Sequence, residues 1–99
     1  MAHDTINKAE ILFYSKETDP NGDATELKIY KLNDGRYPLG IKYSLAFVRN
    51  KKLIVGYDNH YPKGPHKHLL ESESKYEFIT IDQMIVDFLY DIENTLKKL

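Results

Sequence analysis

The clearest pattern of apolar and polar positions lies in the middle of the chain. From Ile41 to Arg49, Tyr43, Leu45 and Phe47 alternate with Lys42, Ser44, Ala46 and Val48. A two-residue period of this kind predicts a half-buried β-strand. A second run follows from Leu53 to Asp58, where Leu53, Val55 and Tyr57 alternate with Ile54, Gly56 and Asp58. A three-residue connection, Asn50-Lys51-Lys52, sets Phe47 opposite Val55 and Leu45 opposite Tyr57, so that the two apolar faces coincide. A slip of one residue would set Gly56 opposite Leu45 instead.

Weaker signals flank this hairpin. Ala9–Ser15 and Thr25–Leu32 read as two further strands, joined through the turn Asp19-Pro20-Asn21-Gly22-Asp23. Proline fixes φ there, and Asn-Gly tolerates positive φ. Asn33-Asp34-Gly35 is a second turn. Residues 59–68 read NHYPKGPHKH, and two prolines with a glycine predict a loop. Tyr76–Ile79 reads as a short edge strand. Residues 1–7 are polar and are expected to fray.

The C-terminal segment has a different period. Ile81, Met84, Ile85, Phe88, Leu89, Ile92 and Leu96 make one helical stripe, which predicts burial against a sheet. Thr80 and Gln83 form a capping-box pattern before it. The fold expected is therefore α+β: a mostly antiparallel sheet of four to five strands with one C-terminal amphipathic helix packed on one face, all in a single domain.

Composition narrows the function. The chain has 99 residues and no cysteine, which excludes a disulfide framework, a thiolate zinc site and a cysteine nucleophile. Apolar stretches are only a few residues long, so no membrane span is expected, and the mixed-charge opening MAHDTINKAE does not read as a signal peptide. A cytoplasmic location fits both. P-loop, G-x-S-x-G and dinucleotide-binding patterns are absent from the chain.

The formal net charge of −1 conceals a segregation. Residues 42–68 carry six positive charges and one negative, while residues 69–99 carry three positive and seven negative. One basic segment on a near-neutral protein suits an anionic partner. Neutralisation of the basic hairpin by the acidic helix is the alternative. Lys51 and Lys52 at the hairpin tip, with Lys67, are candidate contacts to a nucleic-acid backbone. Tyr57 and Tyr61 are candidate surfaces for stacked bases.

Gly56–His68, GYDNHYPKGPHKH, holds the candidate chemistry. His66 and His68 are candidates for an acid/base pair, because imidazole both takes and gives protons near neutral pH. Lys63 is a candidate phosphate ligand, and Asp58 a candidate orienter of an imidazole. Those parts suffice for a metal-independent ribonuclease that needs no cofactor and uses the RNA 2′-hydroxyl as nucleophile. A histidine-rich solvated loop, a non-catalytic nucleic-acid- or protein-binding module, and a metal-dependent hydrolase ligated by His60, His66 and His68 are the competing readings. Lys63 and Lys67 oppose a metal, since they repel a divalent cation.

The order Tyr43-Ser44-Leu45, Gly56-Tyr57-Asp58-Asn59-His60, Lys63-Gly64-Pro65-His66-Lys67-His68 and Tyr76-Glu77-Phe78, closing on a helix, resembles the TumE family of toxins. The resemblance spans residues 38–93. It implies a toxin that acts inside its own cell, on RNA, and that a cognate antitoxin neutralises, often a helix-turn-helix protein. Oligomerisation is compatible with all of these readings.

Overall fold

The computed structural model describes residues 9–99, so the fraying expected of residues 1–7 lies outside the described residues. Six strands form one antiparallel meander: β1 (Glu10–Thr18), β2 (Asp23–Lys31), β3 (Ile41–Arg49), β4 (Lys52–Asp58), β5 (His66–Leu69) and β6 (Ser72–Lys75), paired in chain order. A 3-10 turn, Pro38–Gly40, leads into β3, and the helix α1 (Ile81–Leu96) closes the chain. The α+β class is as expected, with a sheet of six strands rather than four or five.

The register of the central hairpin follows from alternation. Phe47 faces Val55 and Leu45 faces Tyr57. The connection is tighter than expected. Asn50 and Lys51 take φ of 51° and 64°, the left-handed pair of a two-residue turn. A bulge opposite Phe47 and Val48 absorbs the extra residue, Ile54, which is buried. The first turn is built on Asp19, whose Oδ1 accepts the backbone N–H groups of Asn21 and Asp23, each at 3.2 Å. Asp23 then receives both Nε and Nη2 of Arg49 at 2.8 Å from the paired position on β3.

Alternate positions of β2 and β3, with Ile54, Val55 and Tyr57 of β4, form the core. Leu27, Ile29, Tyr43, Leu45, Phe47, Val55 and Tyr57 are buried with Met84 and Phe88 of α1. The Tyr57 and Phe88 rings meet edge to face, 5.5 Å between centroids. Thr80 caps α1 by accepting the Gln83 N–H at 3.0 Å. The Gln83 amide reaches Asp87 at 2.8 Å.

Three expectations are corrected. His66–Leu69 is a strand, where the prolines of the preceding residues predicted loop through His68. The last strand is Ser72–Lys75, and Tyr76–Ile79 is not paired in the sheet. Tyr76 and Phe78 alternate because both pack on the core, Phe78 stacking on Tyr43 at 5.4 Å. Leu89 is 54% exposed, because it lies about 100° around the helix from Phe88 and overhangs the flank of the contact with the sheet.

Candidate functional site

The strand register separates two chemistries. Tyr57, Val55 and Lys67 point to the face that α1 covers. Asp58, Gly56, His66, His68 and Glu73 share the opposite face, since Asp58 pairs with His66, and Gly56 with His68 and then Glu73. The proline-bearing loop Asn59–Pro65 turns back so that Lys63 arrives over β5 and β6, where its ammonium contacts the Glu73 carboxylate.

His66 is fixed at both ring nitrogens. Its Nδ1 lies 2.8 Å from the Gly64 carbonyl oxygen, which can only accept, so Nδ1 carries a proton. Its Nε2 lies 3.2 Å from Asp58 Oδ1 and 3.7 Å from Glu73 Oε2. The same Glu73 oxygen is 3.9 Å from His68 Nε2, and the two imidazole rings are 5.4 Å apart. His66 is buried and His68 is partly open to solvent. The Lys63 ammonium, which donates to Glu73, holds that carboxyl below the usual carboxylate range, and the two histidines add to the effect. The result is a compact set of two imidazoles, two carboxylates and one ammonium on the sheet face opposite α1.

Four of the expected residues, Asp58, Lys63, His66 and His68, are thus brought together. His60 is not a member of the cluster. The donor atoms of His66, His68 and Glu73 lie within 4.8 Å of one another, so a metal-binding set on these residues would use Glu73 where the sequence suggested His60. Lys63 beside Glu73 opposes that use.

Two expected nucleic-acid contacts are corrected. Tyr57 is 1% exposed, and its hydroxyl donates to Asp91. Burial, with that bond, pushes the phenol well above its ordinary value. It cannot stack on a base. Lys67 lies on the same covered side and donates to Asp91 Oδ2 at 3.0 Å. Tyr61 is 47% exposed and remains a ring open to a ligand. Lys51 and Lys52 are exposed, but Lys52 stands six residues along β4 from Asp58, roughly 20 Å at the usual rise.

Much of the basic segment is neutralised locally, by Arg49 with Asp23, Lys52 with Glu71, Lys63 with Glu73 and Lys67 with Asp91. Asn59 is structural. Its Oδ1 accepts the Tyr43 N–H at 3.0 Å and its Nδ2 donates to the Ile41 carbonyl at 2.8 Å. Glu73 was missed from sequence because Ser72–Lys75 carries no apolar alternation.

The profile of the family described as Toxin TumE matches residues 4–96. The chain belongs to the TumE family. No curated protein and no solved structure matches it. A TumE protein is a toxin, which implies a cognate antitoxin as partner. No helix among the described residues is long and apolar enough to cross a membrane.

Proposed function

We propose that this TumE toxin cleaves RNA in the cytoplasm with the His66–His68 cluster and without a cofactor. One observation carries the reading: two imidazoles 5.4 Å apart share the Glu73 carboxylate with an ammonium, on the sheet face opposite α1. One imidazole takes the proton of the ribose 2′-hydroxyl as its oxygen bonds to phosphorus. The other, protonated, gives its proton to the departing 5′-oxygen as the P–O5′ bond breaks. The products are a 2′,3′-cyclic phosphate and a free 5′-hydroxyl. Lys63 supports the charge on the phosphoryl oxygens, and Asp58 orients His66. Lys51 and Lys52 hold the RNA backbone away from the chemistry. A helix-turn-helix antitoxin neutralises the toxin.

The test is cleavage of a labelled RNA in excess EDTA. Cleavage that survives EDTA and falls roughly 10²–10⁴-fold in His66→Ala or His68→Ala supports the reading. Binding without cleavage overturns it in favour of a non-catalytic module. Cleavage abolished by EDTA and restored by a divalent ion favours a metal-dependent hydrolase, which the close donor set of His66, His68 and Glu73 makes the second reading.

A further inference from the structure

A second concavity opens on the same side of the sheet. The β2–β3 connection and the β4–β5 loop wall a cleft of about 310 Å³, to which Asp34, Arg36, Tyr37, Lys42, His60 and Tyr61 contribute. Lys42 lies two residues before Ser44, and Ser44 pairs with Asp58, so all three face away from α1. The walls are tied together. The Tyr61 N–H donates to the Tyr37 hydroxyl at 3.2 Å, and Tyr37 is 5% exposed.

The charges in the cleft are unequal. Arg36 donates Nε and Nη2 to Asp34, the latter at 2.7 Å, and holds that carboxyl down to about 2, so this pair cancels. Lys42 has no carboxylate within salt-bridge distance among the described residues; its Nζ hangs 5.8 Å from the Tyr37 ring centroid. The Arg36 guanidinium lies 5.0 Å from the centroid of the Tyr61 ring. A fixed aromatic–guanidinium pair accepts a stacked base, and an ammonium with an imidazole accepts a phosphate. One backbone contact ties the cleft wall to the proposed reaction centre. The backbone N–H of His60 donates to Asp58 Oδ1 at 3.3 Å, the oxygen that faces His66.

We propose that this cleft binds one nucleotide, with its phosphate on Lys42 and His60 and its base on the Arg36–Tyr61 pair. The inference rests on the RNA reading above, which it deepens by placing a nucleotide neighbouring the cleaved bond. Its volume lies at the small end of ligand sites, which suits a single nucleotide rather than a duplex.

The test is an amide NMR titration of the whole protein with AMP, GMP, CMP and UMP, with adenosine and inorganic phosphate as controls. At least one nucleotide should shift the amides of Lys42, His60 and Tyr61 and saturate, and neither control should match its affinity. Lys42→Met and Tyr61→Ala should each weaken that binding by at least about fivefold. Shifts confined to Lys51 and Lys52, equal binding of inorganic phosphate, or unchanged affinity in Lys42→Met would each overturn the proposal. Nucleotide binding in the cleft of a protein that cleaves no RNA would refute the ribonuclease reading and leave the cleft standing.

Discussion

Asp58 and His66 face one another across the β4–β5 ladder, with Oδ1 3.2 Å from Nε2. Nδ1 of the same ring already donates to the Gly64 carbonyl. The imidazole is therefore held from two sides, and its plane is set before any substrate arrives. Asp58→Ala should lower kcat for RNA cleavage roughly tenfold or more with little change in KM. Asp58→Asn should recover part of that loss. Equal rates in wild type and Asp58→Ala would remove Asp58 from the mechanism.

His66 and His68 should behave as a unit. In single-turnover cleavage assays, the double alanine variant should be little slower than the worse single variant. Independent contributions that multiply would show that the two rings do not act in one step.

Lys51 and Lys52 are expected to act through affinity alone, because roughly six residues of β4 separate them from Asp58. Lys51→Ala/Lys52→Ala should raise KM, leave kcat unchanged and flatten the dependence of RNA affinity on salt concentration. An unchanged salt slope would take both residues out of the interface.

Tyr57 and Tyr61, both expected from sequence to stack on bases, should differ in role. Tyr57→Phe removes the bond to Asp91 and should cost about 1–3 kcal/mol in urea unfolding while leaving RNA affinity intact. Tyr61→Ala should show the opposite split. On α1, Phe88→Ala should cost roughly 3–5 kcal/mol, whereas Leu89→Ala should stay within about 0.5 kcal/mol.

The Asp23–Arg49 pair sets an acid dependence. Arg49 hydrogen-bonds Asp23 and lowers its pKa in the folded chain. A depressed folded value contributes stability above the unfolded carboxylate pKa, near 4, and loses it as pH falls through the folded value. Arg49→Met should therefore lower Tm at pH 7, and the gap to wild type should narrow below about pH 4. A constant gap across that range would contradict the pairing.

What was legible in the sequence followed the strength of alternation. Tyr43, Leu45 and Phe47 against Val55 and Tyr57 set the hairpin register, because only one register buries both faces. The β5–β6 hairpin was not legible. Its turn places Leu70 at φ 56°, a conformation for which leucine gives no signal, and its strands are four residues long. Glu73 was lost with it. Tyr57 had the information in its position: it shares the parity of Val55, and that parity already placed it in the core. Lys67 was hidden because a lysine on a covered face needs a specific acid, and Asp91 lies 24 residues away.

The two-sided sheet also has a genetic consequence. In β4 and β5, neighbouring codons serve different ends, with Tyr57 and Lys67 on the packing side and Asp58, His66 and His68 on the chemical side. Escape mutants selected for loss of toxicity should therefore fall into two interleaved series. Those at one parity should remove the folded protein from the cell. Those at the other should leave it abundant but inert.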